Sequence, residues 1–437
     1  MRFYDRKEEI DLLHKSELQS TSQATFTVLT GRRRVGKTSL VRKALEGKEY
    51  AYLFVTRDSE PMLCARFKQV LEQELGVHIY GTPTHFRELF EAIMLESIDR
   101  HFSVVIDEFQ TLYYINPAIF GEIQDLWDRY HTQSKLNLIV SGSIQTLMNR
   151  IFGEKHEPLY GRPTSRFTLL PFRISVLKEI LADYHPAYSK EDLLCLYMLT
   201  GGVAKYVELL MDAQCVTKEK MLNYVCRRDS YFLTEGRNLI SQEFRDESVT
   251  YFSILQAIAS GLNRRNEIEG ALHKDVGVYL QNLEHTYQIV SRTRPILSKP
   301  NSKISSYEIR DHFLRFWFRF IHPYQSLIEQ QRLDLLRSYI GEQYNQFSGR
   351  TLERYFQRLM MEEGLFTQVG NWWDRSGENE IDLVAVNEFN HTGVVAEIKR
   401  DPKRISLQVL EQKVATLPPS DFAKYHLELK GLSLRDM

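Results

Sequence analysis

The sequence predicts an α/β protein built on a parallel sheet with helices on both faces. Apolar runs of strand length, such as TFTVLT from Thr25 and FSVVID from Phe102, alternate with longer segments. One of these, FRELFEAIMLESI from Phe86, repeats its apolar residues at helical spacing. Strands that alternate with such helices form units in which neighbouring strands run parallel. The chain has 437 residues, so we expect further domains after this sheet.

A glycine-containing loop follows the first strand. Gly31, Gly36, Lys37 and Thr38 stand at the G-x-x-x-x-G-K-[ST] spacing, and a helical pattern begins near Lys37. The glycines let successive N–H groups face one anion, and the helix adds its positive end. The lysine can reach the terminal phosphates of ATP, and the threonine can bind Mg²⁺. The predicted ATP-binding residues are Gly31, Arg32, Arg33, Arg34, Val35, Gly36, Lys37, Thr38 and Ser39.

Polar side chains end two later apolar strands. Asp107 and Glu108 follow the strand that begins at Phe102, at an edge that lies beside the phosphate loop in this type of sheet. We expect Asp107 to hold Mg²⁺, through water, and Glu108 to orient and deprotonate the attacking water. LNLIVSGS ends in serines, and we expect Ser143, with Ser141 as second choice, to sense the γ-phosphate or the attacking water. An ordinary strand-end serine is the alternative.

These motifs resemble those of P-loop ATPases of the AAA+ and STAND type. The resemblance is closest to a family of archaeal and bacterial ATPases that carry a nuclease-like C-terminal domain. It implies a Mg²⁺-dependent ATPase core followed by a helical lid. The segment Leu159–Phe172 resembles the family segment that closes the core. Arg162 is therefore expected to stabilise phosphate charge, in cis or across a contact in a homo-oligomer formed on ATP binding, and a structural arginine is the alternative.

Composition limits the partners and the compartment. Lys and Arg total 56 against 57 Asp and Glu, so any contact with DNA must come from a local patch. The four cysteines show neither a C-x-x-C pair nor a zinc spacing, which is typical of reduced thiols in a cytoplasmic protein. The charged start of the chain does not resemble a signal peptide, and no apolar run approaches the ~20 residues of a membrane helix.

Residues 248–300 resemble a winged helix, with three helical segments and a wing within 289–305. Five basic residues are available there for phosphate contacts, namely Arg264, Arg265, Lys274, Arg292 and Arg294. Packing of this domain against the ATPase or a protein partner is the alternative. The following segment, 306–323, is rich in aromatic residues that we expect to form core, not a base-stacking surface, namely Phe313, Phe316, Trp317, Phe318 and Phe320.

Charged side chains recur inside apolar strands near the C-terminus. Asp382 lies in the run IDLVAV, and Glu397 and Lys399 lie two residues apart at the end of the run TGVVAEIKR. The strand period of two places Glu397 and Lys399 on one face, and pairing of the two strands would bring Asp382 to them. Two carboxylates can bind Mg²⁺, and a lysine can activate the hydroxide that attacks a phosphodiester. This pattern resembles the PD-(D/E)XK nuclease fold, which adds Glu353 on the preceding helix.

The resemblance divides the chain into four parts. They are a P-loop ATPase core (1–165), a helical lid (166–245), a winged-helix domain with the aromatic-rich segment (246–335) and a nuclease-like α/β domain (336–437). The favoured hypothesis is an ATPase whose nucleotide state controls a metal-dependent DNA nuclease. The alternatives are a STAND-like switch with an inactive nuclease-like scaffold and a DNA-binding regulator.

Overall fold

The computed structural model describes residues 1–244, 248–299, 302 and 304–437, and the chain divides into two compact units. The amino-terminal unit is Tyr4–Pro171, and the carboxy-terminal unit is Phe172–Met437 together with Met1–Phe3. Within the described ranges, no helix is long and apolar enough to cross a membrane. The finer division into four domains stays a prediction.

The amino-terminal unit is a five-stranded sheet with helices on both faces. Every pairing in it is parallel, and the strand order is β2-β3-β4-β1-β5. Its strands are β1 (Thr25–Thr30), β2 (Tyr50–Phe54), β3 (Phe102–Asp107), β4 (Leu136–Gly142) and β5 (Ser165–Thr168). Its helices are α1 (Lys7–Ser20), α2 (Lys37–Ala44), α3 (Glu60–Leu75), α4 (Phe86–Asp99), α5 (Leu112–Ile115), α6 (Ile119–Tyr130) and α7 (Gln145–Gly153).

The three central strands are buried along their whole length, which favours the apolar residues that recur in them. Every residue of β1, β3 and β4 is buried. Val28 and Phe26 face the core formed with α3, α4, α6 and α7, whereas Leu29 faces the core formed with α1 and α2. The predicted fold class is confirmed here. Sequence analysis missed β5, a four-residue edge strand with alternating half-buried and exposed residues.

The carboxy-terminal unit begins with a mainly helical stretch, as expected, and ends in a mixed α/β layer. Its helices are α8 (Ile174–Tyr184), α9 (Lys190–Thr200), α10 (Ala204–Asp212), α11 (Lys218–Val225), α12 (Tyr231–Glu243), α13 (Ser248–Ser260), α14 (Arg265–Leu272), α15 (Gly277–Gln281), α16 (His312–Phe316), α17 (Gln325–Glu329), α18 (Leu333–Glu363), α19 (Leu407–Val414) and α20 (Pro419–Phe422). Its strands are β6 (Val290–Thr293), β7 (Ser306–Ile309), β8 (Gln368–Trp373), β9 (Glu380–Asn387), β10 (Thr392–Ile398) and β11 (His426–Leu432).

Two separate sheets lie in this unit. β6 and β7 form an antiparallel pair after α13, α14 and α15, in the region that resembles a winged helix; Pro300 of the expected wing lies outside the described residues. The second sheet has the order β11-β10-β9-β8, in which β10 pairs antiparallel with β9 and parallel with β11. The sequence analysis required that the strands of Asp382 and of Glu397 and Lys399 pair as neighbours. These strands are β9 and β10, and they do pair.

The aromatic-rich segment is core, as predicted. Phe313, Phe316, Trp317, Phe318 and Phe320 are all buried. All four cysteines are free, and three of them are buried, which agrees with the expected reduced core thiols.

Trp317 illustrates how closely this core is packed. Its Nε1 donates a hydrogen bond to the carbonyl of Leu233, 3.0 Å away. A Cβ atom added to Gly236, one turn further along α12, would overlap the indole ring. Gly236 is therefore needed for close approach of the backbone to the ring, because interiors of this density cannot absorb an extra methyl group without displacement.

We predict that Gly236→Ala lowers the free energy of unfolding by about 1–3 kcal/mol, because the added methyl group overpacks the Trp317 site. Gly349→Ala is the matched control, since a Cβ there has open space around it in the middle of α18. This control should stabilise by about 0.5–1 kcal/mol through helix propensity. The midpoints of thermal unfolding would test the pair. Equal midpoints for the two variants would contradict the packing argument.

Candidate functional site

The phosphate-loop motif lies between the end of β1 and the start of α2, as the sequence predicts. Gly31 has a φ of 150°, and a Cβ there would stand 2.7 Å from the carbonyl oxygen of Leu169. Gly36, at the N-terminus of α2, has a φ of 102°. Both positions therefore require glycine. Gly31 allows the positive φ and the close approach to Leu169, and Gly36 allows the positive φ.

Lys37 is directed back into this loop. Its Nζ donates hydrogen bonds to the carbonyl oxygens of Gly31 and Arg32, at 2.8 Å and 3.1 Å. Burial lowers the pKa of the Lys37 ammonium to about 8, although the carboxylates of Glu108 and Asp107 act in the opposite direction. A phosphate group entering the loop would supply the negative charge that favours the protonated form.

Asp107 is the centre of a cluster of oxygen atoms at the end of β3. Its Oδ2 lies 3.3 Å from the Thr38 hydroxyl and also accepts a hydrogen bond from the Tyr52 hydroxyl. Its Oδ1 accepts hydrogen bonds from the Ser141 hydroxyl and from the Glu108 backbone N–H, the latter at 3.0 Å. The structure thus brings together the two predicted Mg²⁺ ligands, Thr38 and Asp107. These are hard oxygen donors of the kind that Mg²⁺ prefers.

Tyr52 was missed by sequence analysis. It lies on β2, which pairs with β3 in a register that sets Tyr52 opposite Val105, two residues before Asp107. Its hydroxyl also lies 3.3 Å from the Thr38 hydroxyl. Burial and the hydrogen bond to Asp107 raise the pKa of the Tyr52 hydroxyl, so Tyr52 acts here as a neutral donor. The only available signal was a tyrosine on the strand beside the acidic one.

Glu108 lies just beyond the strand and pairs with the predicted serine. Its φ is 55°, in the left-handed region, so it departs from the line of β3 at this point. Ser143 donates to the Glu108 carboxylate at 2.9 Å, and the Gln110 side chain donates to the same group. Gln110 is a second residue that the sequence analysis did not identify. Ser143 and Ser141 therefore contact Glu108 and Asp107 respectively.

Arg162 contacts residues other than these. Its Nη2 lies 3.0 Å from the Asp128 carboxylate, and its Nη1 donates to the Tyr160 carbonyl at 3.0 Å. Its predicted role in stabilising phosphate charge stays a prediction.

The second predicted cluster forms in the carboxy-terminal unit where β9 and β10 lie side by side. Lys399 Nζ lies 2.8 Å from Asp382 Oδ2 and 3.7 Å from Glu397 Oε1. Asp382 also accepts the backbone N–H of Ile398 at 2.8 Å, and Glu397 accepts that of Ser406 at 3.0 Å. Asp382, Glu397 and Lys399 therefore converge, as the strand spacing predicted.

Glu353, on α18, faces a cavity of about 240 Å³ whose wall also includes Asp382 and Glu380. Burial, reinforced by the negative charges of Asp382 and Glu380, raises the pKa of the Glu353 carboxyl to about 8. Among the described residues, no group of three or more histidine, cysteine or carboxylate side chains forms a ready-made metal centre. Any metal here would be held by fewer protein ligands, with water or substrate oxygens completing the shell.

Two parts of the chain match known protein families. Residues 3–210 match a family described as an ATPase domain predominantly from Archaea. Residues 317–408 match the DUF234 family, described as archaeal and bacterial proteins of unknown function. An uncharacterized protein of Methanocaldococcus jannaschii is 30% identical over 440 residues, which is 97% of this chain and 94% of the relative.

Solved structures show the same fold. The Walker-type ATPase of Pyrococcus abyssi matches with a TM-score of 0.54 at 20% identity, over 72% of this chain and 96% of that one. The ORC2 protein of Aeropyrum pernix, solved as ADPNP-ADP complexes, matches with a TM-score of 0.52 at 15% identity, over 76% of this chain and 96% of that one. The match of residues 3–210 gives this chain an ATPase domain, and the similarity to the M. jannaschii relative over nearly the whole length of both chains shows that the two belong to one family.

Proposed function

We propose that this ATPase hydrolyses ATP with Mg²⁺ and that its nucleotide state controls a metal-dependent DNA nuclease site in the carboxy-terminal unit. The observation that carries the first part is the cluster of oxygen atoms around Asp107 beside the phosphate loop. The observation that carries the second part is the convergence of Asp382, Glu397 and Lys399.

In the ATPase site, Thr38 and Asp107 would hold Mg²⁺, which would neutralise charge on the phosphates when bound. Lys37 would turn from the loop carbonyls to the β- and γ-phosphates. Glu108 would accept a proton from the attacking water, and Ser143 would hold the Glu108 carboxylate in place through the 2.9 Å hydrogen bonds. Arg162 would add positive charge from a neighbouring protomer if ATP binding assembles a homo-oligomer.

In the nuclease-like site, Asp382 and Glu397 would hold the metal ion, which would lower the pKa of a bound water. Lys399 would stabilise the hydroxide, since its ammonium already lies between the two carboxylates. Glu353 would complete the site from α18. Hydrogen bonds hold the Asp382 and Glu397 carboxylates inside otherwise apolar strands. Burying a charged group costs free energy unless it has a partner, so we take these charges as functional.

Two observations favour the alternative of a STAND-like switch with an inactive scaffold. Lys399 pairs directly with Asp382 at 2.8 Å, and the described residues contain no preformed metal cluster. In that case the lysine would act as a structural counter-ion, the metal would not bind, and ATP would drive a change of assembly without cleavage of DNA.

We predict that Lys37→Ala abolishes ATP binding, because it removes the charge that faces the β- and γ-phosphates. Glu108→Gln should retain binding but lose about 10²–10⁴-fold in turnover, since it removes the base and keeps the shape. Lys43→Ala is the control, because Lys43 lies on the same helix and pairs with Glu46. Calorimetric titration with ATP and a phosphate-release assay would separate the two variants. Unchanged turnover in Glu108→Gln would refute its role as base.

We predict that Tyr52→Phe raises the Mg²⁺ concentration needed for half-maximal ATP turnover by about tenfold. The reason is that the charged Asp107 carboxylate loses the hydrogen bond that the Tyr52 hydroxyl donates to it. Tyr50→Phe, on the same strand and two residues away, is the matched control. Turnover would be measured over a Mg²⁺ titration at saturating ATP. A Mg²⁺ dependence that is identical in both variants would show that the Tyr52 hydroxyl has no positioning role.

We predict that Asp382→Asn and Lys399→Ala each abolish Mg²⁺- or Mn²⁺-dependent nicking of plasmid DNA and leave ATP turnover largely intact. The reason is that each substitution removes a charge from the nuclease-like cluster, whereas the ATPase residues lie in the other unit. Lys403→Ala, at an exposed lysine, serves as the control. Wild-type protein that cuts neither linear, supercoiled nor single-stranded DNA would favour the switch alternative.

A further inference from the structure

Both arginines and carboxylates line the cavity beside Glu353. The arginines are Arg264, Arg315, Arg350 and Arg354, and the carboxylates are Glu308, Glu353, Glu380 and Asp382. Arg315 comes from α16, and Arg350 and Arg354 lie one turn apart on α18. Asp382 lies on the same wall, so the arginines and the predicted metal ligand share one cavity.

Arg315 is the most unusual of these residues. It is only 8% exposed, and its Nη1 is buried without a hydrogen-bond partner among the residues that the structure describes. Its guanidinium carbon lies 4.7 Å from the centre of the Phe347 ring. Burial, together with the positive charge of Arg354, lowers the pKa of the guanidinium to about 9, which leaves it charged at neutral pH. A buried cation with an unused donor is costly unless a ligand pairs with it.

Among the described residues, none of the acidic side chains on the wall forms a hydrogen bond with the buried Nη1 of Arg315. Glu308 pairs with Arg354, at 2.5 Å, and Asp382 pairs with Lys399, at 2.8 Å. Arg315 therefore keeps an unused donor in the cavity, and Arg350 lies at its exposed edge.

We propose that this cavity is a phosphate-binding subsite that takes a backbone phosphate of a nucleic-acid strand beside Asp382. A planar guanidinium with free donors matches phosphate oxygens well, and Arg315 is already desolvated and held against Phe347. The identity of the ligand as a nucleic acid rests on the proposed nuclease function. The anion site itself rests on the arginines.

The test measures binding of a fluorescein-labelled single-stranded oligonucleotide to the full chain by fluorescence anisotropy, in EDTA and over a series of salt concentrations. Arg315→Met should weaken binding about tenfold or more, as expected for loss of a charge-assisted contact. It should also reduce the slope of log Kd against log salt by about 0.7, the value for one phosphate contact on a single strand. Arg315→Lys should restore part of the slope.

The control is Arg129→Met, which removes one positive charge from an exposed arginine that pairs with Glu91 and Asp125 in the amino-terminal unit. The thermal midpoint of Arg315→Met should equal or exceed that of the wild type, because the variant removes an unpaired buried charge. An unchanged affinity and salt slope in Arg315→Met would overturn the proposal. The proposal would also be overturned if Arg315→Met had a lower thermal midpoint than the wild type and Arg315→Lys lost as much affinity and salt slope as Arg315→Met. That result would indicate a structural arginine.

Two further measurements distinguish a nucleic-acid phosphate from a free phosphate, and the proposed subsite from the proposed nuclease function. Inorganic phosphate and a mononucleotide are added as competitors, and tight binding of either one without oligonucleotide binding would overturn the nucleic-acid assignment. Arg315-dependent oligonucleotide binding without any wild-type cleavage would keep the subsite and refute the nuclease. Cleavage with the same KM in wild type and Arg315→Met would keep the nuclease and refute the subsite.

Discussion

The complete burial of β1, β3 and β4 is the constraint on which the amino-terminal unit depends. Strands covered on both faces favour apolar side chains on both sides, so charged groups lie at the strand ends. Because the pairings are parallel, those ends lie at one edge of the sheet, where Asp107, Ser141 and the phosphate loop meet. The position of the ATPase site follows from how the core is formed.

Positive and negative side chains lie close together at that edge of the sheet. Lys37 is buried and held by backbone carbonyls, while Asp107 and Glu108 are held by hydroxyl and amide donors. The hydroxyl and amide donors hold the carboxylates of Asp107 and Glu108 in position before ATP arrives. Pre-positioned groups need less rearrangement at the moment of reaction, which is the usual source of catalytic advantage in phosphoryl transfer.

The carboxy-terminal unit applies a similar arrangement to a different sheet. Antiparallel pairing of β9 with β10 brings charges from two apolar strands together, and the Ser406 and Ile398 amides hold the carboxylates. The neighbouring cavity gathers arginines from α16 and α18 on the same wall as Asp382, one of the two carboxylates that we propose as metal ligands.

The sequence by itself determined the parallel sheet, the phosphate loop and the shared face of Glu397 and Lys399, because each follows from a local pattern. Gly31, Gly36 and Lys37 lie in one short loop, and the strand period sets which side chains share a face. The pairing of β9 with β10 that brings Asp382 to this face was decided by the tertiary structure. Tyr52 and Arg315 could not be found in this way. The Tyr52 contact with Asp107 joins residues 55 positions apart, and the cavity of Arg315 exists only where α16, α18 and β9 pack together. Such contacts depend on tertiary packing, because no local pattern encodes which distant side chain will reach a given carboxylate or leave a buried guanidinium without a partner.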